Sequence, residues 1–511
     1  MAIIGSIIKG VINVADALAS RENHVEEQAK VLKDLLQTAK DTQFGKFYNF
    51  SEILESDNIA KSFAERVPYF DYHKINEEWW SKLHQGEDHV TWPDTPSYYA
   101  LSSGTTGNTS KRIPVTDAML KSIQNAGIKQ VLALHNFDLP ADFFEKEIMM
   151  LGSSTSLHER SDNSMEGEIS GISASNIPFW FRGYYKPGEE IAEIEDWDER
   201  IQRIADRASE WDIGALSGIP SWIELMLEKV IEVNKLENIH QVWPNLQLYT
   251  SGGVAFAPYQ KSFNALLGKP VQVIDTYLAS EGYLATQIRP ESDAMQLITD
   301  NGIYFEFVPF KPEYINADGS LTGEAPSLTL AEVEMGQDYV LIISTVSGAW
   351  RYMIGDTVEF TDLDRMEIKI TGRTKFFLNT VGSQLSVNKL DEGVQHVEKK
   401  LNTHIKEYTI CAKRFDDDEF YHSWYLGTET EEDPEKVADI LDGFLQEVNK
   451  NYKVARSKAL KGVKVHLISP DIFQEWNALH KKKGGQVKME RVMSQEKFKE
   501  WEKFVSGYEN N

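Results

Sequence analysis

The chain has 511 residues, too many for one ordinary domain, and 41% apolar with 26% charged residues is a globular composition. It carries 53 Lys and Arg against 79 Asp and Glu, a formal net charge of −26, which argues against a nucleic-acid backbone or an anionic membrane as partner. A single cysteine, Cys411, excludes an intramolecular disulfide and a cysteine-built metal site, so a reducing, cytoplasmic setting is the expectation.

At the N-terminus Ile3, Ile4, Ile7, Ile8, Val11, Ile12 and Ala15 recur at helical spacing, interrupted by Lys9, Asn13 and Asp16. The stretch is too short and polar to span a membrane and lacks the charged start and long apolar run of a secretory signal. It reads as an amphipathic helix docked on this chain or on the mate of a homodimer, with a membrane-surface anchor as the alternative and no integral membrane association. Residues 24–40 predict a second helix, with Val25, Leu32, Leu36 and Ala39 on one side. From about 95 to 370, apolar runs such as Val271–Ile274 and Tyr339–Ile343 alternate with helical stretches and glycine-rich turns, an α/β pattern. A turn-rich segment at 371–386, opening Thr371-Gly372-Arg373-Thr374-Lys375, reads as a hinge between a body of residues 1–370 and a smaller part at 387–511. That smaller part predicts strands at Tyr408–Ala412, Tyr421–Leu426 and Val463–Leu467. Between the second and third lies a helix capped by Asp433, with Pro434 at its first position and Val437, Ile440, Leu441, Phe444, Leu445 and Val448 on one face. The expectation is a small α+β lid.

Candidate chemistry begins at Leu101-Ser102-Ser103-Gly104-Thr105-Thr106-Gly107-Asn108-Thr109-Ser110-Lys111, after a strand-like Tyr98-Tyr99-Ala100. Hydroxyls alternating with glycines let backbone N–H groups converge on phosphate oxygens, and Lys111 adds a cation; a surface loop is the plainer alternative. The segment is not the phosphate loop of the G-x-x-x-x-G-K-[ST] type, since no Lys-Ser/Thr pair follows the second glycine at the required place. Next come Tyr249-Thr250-Ser251-Gly252-Gly253-Val254 and Ile274-Asp275-Thr276-Tyr277-Leu278-Ala279-Ser280-Glu281-Gly282. Paired glycines after a strand let a flat base approach the backbone, Tyr277 offers a stacking face, and Glu281 is a hard oxygen ligand suited to Mg²⁺; a strand-end turn and a surface carboxylate are the alternative. In Trp350-Arg351-Tyr352-Met353-Ile354-Gly355-Asp356, Asp356 is placed just beyond a strand to accept both hydroxyls of a ribose. Gly372-Arg373-Thr374-Lys375 follows, and Gly484-Gly485-Gln486-Val487-Lys488 closes the series; a lysine after paired glycines suits a catalytic loop, and a solvated basic turn is the commoner origin of such residues.

In this order the six segments resemble the adenylate-forming superfamily of acyl-CoA synthetases, luciferases and peptide-synthetase adenylation domains. More narrowly they are similar to the GH3 family of acyl acid amido synthetases, known from plant hormone conjugation and with bacterial members, from about residue 30 to the end. The Ser-Ser-Gly-Thr-Thr-Gly loop, the Tyr-x-x-Ser-Glu segment and the Arg-Tyr-x-x-Gly-Asp segment carry the likeness. The resemblance implies an α/β fold with a large N-terminal, firefly-luciferase-like adenylation domain and a smaller mobile α+β C-terminal lid. It implies that Ser102, Ser103, Gly104, Thr105, Thr106, Gly107 and Lys111 bind ATP phosphates. By the same likeness Gly253 and Tyr277 contact adenine, Ser280 the nucleotide, Glu281 magnesium, and Asp356 the ribose. Arg373 falls near the phosphates, Lys375 near the hinge and Lys488 on the C-terminal catalytic lysine. Two departures stand out: Met353 replaces a second arginine of the family motif, and Met489 follows Lys488 where proline is common.

The implied reaction uses ATP and Mg²⁺ to adenylate a small carboxylic acid, then transfers the acyl group to an amine, in the first instance an amino acid. A thioester-forming ligase of the same superfamily and a non-catalytic nucleotide-binding scaffold are the other readings. The acyl pocket has candidates in Met149–Thr155, Phe179–Arg182 and Leu216–Trp222, although aromatics at that density are more often core than pocket, and His158, a candidate base for the incoming amine, reads rather as a solvated loop histidine. None of the 12 histidines shows metal-ligand spacing.

Overall fold

The computed structural model describes residues 21–102, 111–177, 181–253, 256, 259–316, 319–374, 385, 387–416, 419–449, 452–453, 456, 460–479, 489–493 and 495–509. The N-terminal apolar stretch lies outside the described residues. Helix Arg21–Ala39 follows it and turns Leu32, Leu35, Leu36 and Ala39 into the core, the stripe that the 3.6-residue period predicts. Gln28 of this helix donates to the carbonyls of Thr299 and Ile303 and accepts from the Phe305 amide, so a side-chain amide covers the outer edge of the largest sheet.

Among the described residues that sheet has eleven strands, in the order Ile303–Pro309, Asp338–Thr345, Tyr352–Asp362, Glu367–Arg373, Met295–Leu297, Gly282–Thr286, Gln272–Ala279, Leu248–Gly252, Ile213–Gly218, Glu147–Leu151 and Tyr185–Lys186. From Gln272–Ala279 onward the strands run parallel; before it they pair antiparallel. Crossover helices Trp197–Arg207 and Pro220–Asn234 bury Ile201, Ile204, Ile223, Met226, Leu227 and Val230 against the parallel part. Such helices run opposite to the strands, so their N-termini sit at the strands' C-terminal ends. A second, four-stranded sheet contains Lys111–Val115, Tyr98–Ser102, Met165–Gly167 and His158–Glu159.

The C-terminal part holds a three-stranded sheet of Ile405–Asp416, Glu419–Thr428 and Leu460–Ile468, each strand longer than the sequence reading and at the expected place. Helix Pro434–Val448 is capped by Asp433, which accepts from the Glu435 amide at 3.0 Å, and it buries Val437, Leu441 and Leu445. One expectation changes. Thr371-Gly372-Arg373, read as a turn, is the end of strand Glu367–Arg373. A register shift between Thr357 and Val358 leaves Thr371 as the extra residue, and the Thr371 hydroxyl donates to that of Thr357 at 3.0 Å, so a bulge rather than a turn uses these residues.

Candidate active site

The C-terminal ends of the parallel strands carry Ser251-Gly252-Gly253 and Ala279-Ser280-Glu281, at the edge where open α/β sheets leave their ligand crevice. The Thr276 hydroxyl donates to the Ser251 carbonyl at 2.8 Å and ties the two strand ends together. Gly253 has φ +77°, and a Cβ there would come within 3.3 Å of Ile219, so the residue must be glycine for the chain to turn closely over the next strand's connection. Ser280 and Glu281 form the tight turn into strand Gly282–Thr286.

Asp356 is the centre of the site. It lies inside strand Tyr352–Asp362 rather than just beyond a strand, directly opposite Arg373 in the neighbouring one. Gly355, at φ +95°, lets the strand bulge beside it, and the Gly355 carbonyl takes the Thr374 amide at 2.8 Å. Arg373 Nε donates to Asp356 Oδ1 at 2.7 Å, and Tyr277 Oη donates to Asp356 Oδ2 at 2.5 Å. Strands Tyr352–Asp362 and Gln272–Ala279 stand four places apart in the sheet order, about 19 Å if the sheet were flat. Their side chains meet because the sheet coils back on itself here. Burial, with the Asp356 carboxylate beside it, pushes the Tyr277 phenol well above its ordinary range, and Asp356 likewise raises the half-exposed Arg373.

Glu281 is 8% exposed, which corrects the surface-carboxylate alternative. Burial pushes its carboxyl above the usual range, while the Lys111 ammonium and the Arg373 guanidinium oppose that shift. The buried Tyr352 phenol lies against Glu281 and is raised by burial and by that carboxylate. Lys111 is the cross-strand partner of Ser102 and stands over the Tyr72 ring at 5.5 Å, so both ends of the serine–glycine segment are fixed at the site. Among the described residues no group of three or more His, Cys, Asp or Glu could enclose a metal. One buried carboxylate beside a lysine ammonium has a donor set that suits Mg²⁺, which is held by one or two carboxylates, water and substrate phosphates rather than by a protein cage.

Next to the site, burial raises Asp275 to about 6. The folded value lies above the unfolded one, so this group's contribution to stability is present below about pH 4 and is lost as pH rises through 6. Asp275→Asn is therefore expected to raise the thermal midpoint at pH 8 by the equivalent of about 1 to 3 kcal/mol and to leave it unchanged at pH 4. Equal midpoints for variant and parent at pH 8 would contradict this.

The structure thus brings together Lys111, Tyr277, Glu281, Asp356 and Arg373, with Ser102 paired to Lys111, Ser280 just before Glu281, and Gly253 following the adjacent strand. Ser103, Gly104, Thr105, Thr106, Gly107, Lys375 and Lys488 lie outside the described residues. His158 is exposed on a short strand paired with Glu166, and Arg182 forms an ion pair with Glu189. Of the acyl-pocket candidates, Met149, Leu151 and Leu216 are core, and Trp222 packs on Trp197. Sequence reasoning missed Tyr352, one residue into the Arg-Tyr-x-x-Gly-Asp motif. It also missed Arg200, which the spacing from Trp197 to Ile204 puts on the apolar face of its helix. A cavity of 940 Å³ lies elsewhere, lined by Gln28, Tyr69, Glu306 and Arg351 among others; these side chains are already bonded within the protein.

Models of three domains match the chain in order: the GH3 family N-terminal domain over residues 17–205, the central domain over 296–373 and the C-terminal domain over 388–497. The chain belongs to the GH3 family. It is 27% identical over 241 residues to indole-3-acetic acid-amido synthetase GH3.8 of Oryza sativa subsp. indica, covering 44% of this chain and 39% of that protein. It is 30% identical over 204 residues to indole-3-acetic acid-amido synthetase GH3.4 of Arabidopsis thaliana, covering 37% and 33%. These alignments therefore span between a third and two fifths of the relatives' length. In fold, this GH3 chain superposes on a GH3.15 acyl acid amido synthetase with a TM-score of 0.73 at 15% identity, covering 95% of this chain and 93% of the other. A 2-hydroxyisobutyryl-CoA ligase in its postadenylation state follows at 0.57 and 15%, covering 94% and 91%. The fold of this chain is thus the one shared by that amido synthetase and that CoA ligase.

Proposed function

We propose that this GH3 protein is an ATP-dependent acyl acid amido synthetase. It adenylates a small carboxylic acid and passes the acyl group to an amine, in the first instance an amino acid. The observation that carries this reading is the convergence of Tyr277, Asp356 and Arg373 with Glu281 and Lys111 at the C-terminal ends of the parallel strands. A scaffold has no use for a ribose acceptor, a buried carboxylate suited to Mg²⁺ and a phosphate-facing lysine in one crevice.

In the first half-reaction the acid's carboxylate oxygen attacks the α-phosphorus of ATP and pyrophosphate leaves. Lys111, Arg373 and, in this reading, Lys488 face the charge that develops; Glu281 is the residue that would hold Mg²⁺, which would supply further neutralisation of phosphate charge. In the second, the amine nitrogen bonds the acyl carbon, the bond to AMP oxygen breaks, and the amine's proton passes to solvent. In this reading the adenylation body runs through strand Glu367–Arg373, the hinge is the rest of the 371–386 segment, and 387–511 form the lid, which rotates between the half-reactions. The protein works in the cytoplasm, and a homodimer is compatible with its N-terminal apolar stretch.

The test is incubation with Mg-ATP, a panel of aryl and alkyl carboxylic acids and the twenty amino acids, with AMP, pyrophosphate and new amide masses followed together. Amide formed in step with AMP is expected. Acid-dependent pyrophosphate release that yields product only with coenzyme A would replace this reading by a thioester ligase, and silence across the panel would favour the scaffold. Within the site, Tyr277→Phe keeps the ring and removes the hydroxyl that holds Asp356. It is expected to raise the KM for ATP about tenfold to a hundredfold, the loss of one charge-assisted hydrogen bond, with kcat little changed. An unchanged KM would mean that the hydroxyl does not position Asp356.

A further inference from the structure

Arg200 belongs to the first turns of helix Trp197–Arg207, at the end of that helix facing the C-terminal ends of strands Glu147–Leu151 and Ile213–Gly218. It is 5% exposed, and its Nε is buried without a hydrogen-bond partner. The guanidinium lies over the Trp197 ring at 5.1 Å, with the Tyr185 phenol and the Glu168 carboxylate as its charged or ionisable neighbours. Glu168 is itself exposed and takes the Ser153 hydroxyl. Asp196, Asp198 and Glu199 of the same turn are exposed to solvent.

A cation in this position is opposed twice. Burial strips its water, which lowers its pKa below the usual guanidinium range, and the positive end of the helix dipole disfavours it further. Neither cost is met by a bonded carboxylate among the described residues. A packing role alone would be served better by leucine or methionine. What a buried guanidinium with an unused donor accepts is a carboxylate, which matches its planar fork.

The position says which carboxylate. Strand Glu147–Leu151 pairs with Ile213–Gly218, and that strand pairs with Leu248–Gly252, which Gly253 follows. Arg200's neighbour Tyr185 sits on the strand beyond Glu147–Leu151, so along the sheet Arg200 lies about three strand spacings, roughly 14 Å, from the strand that leads to Gly253. The carboxylate that attacks phosphorus must sit by Lys111 and Glu281, so it is not the one Arg200 holds. We propose, on the amido synthetase reading above, that Arg200 binds a second, non-reacting carboxylate. Its source is the α-carboxylate of the amino acid that attacks the acyl adenylate, or a further carboxylate on the acyl acid.

The full-length protein and its Arg200→Gln and Arg200→Lys variants separate these sources. The amino acid and the acid most active in the wild-type panel are used, with the amino acid's carboxamide and hydroxylamine as nucleophiles that lack the carboxylate. The expected result is that Arg200→Gln raises the KM for the amino acid about tenfold to a hundredfold. Capture by the carboxamide and by hydroxylamine, and acid-dependent pyrophosphate exchange, stay within about twofold. Arg200→Lys recovers part of the loss. A raised KM for the acid in pyrophosphate exchange, with the amino acid's unaffected, assigns the site to the acyl acid. Unchanged KM values for both overturn the proposal. So does an equal fall in every activity with a lowered thermal midpoint in both variants, which marks a structural residue. A wild-type protein without acid-dependent exchange fails at the amido synthetase reading instead, and the proposal falls with it.

Discussion

Asp356→Ala is expected to lower acid-dependent exchange of pyrophosphate into ATP by about a thousandfold or more while the chain remains folded. The carboxylate has two protein donors, Tyr277 Oη at 2.5 Å and Arg373 Nε at 2.7 Å, and in the proposed reaction it also accepts the ribose hydroxyls. Each hydrogen bond to a charged group contributes about 1.5 to 3 kcal/mol, and two lost ribose contacts together with a freed Arg373 exceed the roughly 4 kcal/mol that a thousandfold represents. The fold tolerates the change better than the reaction does, because Arg373 is half-exposed and can turn to water. Tyr277 is left with a buried hydroxyl and no acceptor, at a cost of about 1 to 3 kcal/mol, which a modest drop in thermal midpoint would report. Asp356→Asn keeps an acceptor oxygen and is expected to fall between the two. Exchange within tenfold of wild type in Asp356→Ala would remove the central residue from the proposed site and the function with it.

The elements of this fold were legible where a local signal and the tertiary structure agree. The Asp433 cap with Pro434 announced helix Pro434–Val448, and the apolar run Tyr339–Ile343 announced the buried strand Asp338–Thr345. The identity of Tyr277, Glu281, Asp356 and Arg373 was legible from motif likeness. Their meeting was not, because it depends on the Asp356–Arg373 register and on the coiling of a sheet whose strand order no local pattern encodes. Thr371-Gly372-Arg373 misled because threonine and glycine signal a turn and a bulged strand end alike. Arg200 was hidden because the sequence of its helix, read for polarity, offers an arginine as one more solvated charge; its unpaired burial is visible only in three dimensions.

Arg351 shows the same division within a single motif. It stands five residues before Asp356 in Trp350-Arg351-Tyr352-Met353-Ile354-Gly355-Asp356, yet it serves the fold. Its Nε donates to both oxygens of Glu306, at 3.0 and 3.2 Å, and its Nη1 donates to the carbonyls of Ala64 and Val67 at 2.7 and 2.6 Å. The guanidinium also covers the Tyr69 ring at 4.1 Å. Its own backbone, at φ +41°, is held by the Ser344 hydroxyl and by the Phe70 amide, so one residue joins the N-terminal helical layer to the sheet. Arg351→Met keeps much of the aliphatic volume and removes the charge. It leaves Glu306, 2% exposed, with the Ser327 hydroxyl as its remaining side-chain donor among the described residues, and takes the donor from the buried Val67 carbonyl and the part-buried Ala64 carbonyl. Breaking one side of such a pair costs about 3 to 5 kcal/mol, a large share of the roughly 5 to 15 kcal/mol that holds a domain together. The expected result is a strongly lowered urea midpoint, or loss of soluble protein at 37 °C. Arg351→Met combined with Glu306→Gln is expected to recover a measurable part of the loss, because the uncompensated charge is then gone. A double variant no more stable than Arg351→Met would place the cost in the Ala64 and Val67 carbonyls instead. A single variant with an unchanged midpoint would show that the pair contributes nothing to holding the helical layer on the sheet.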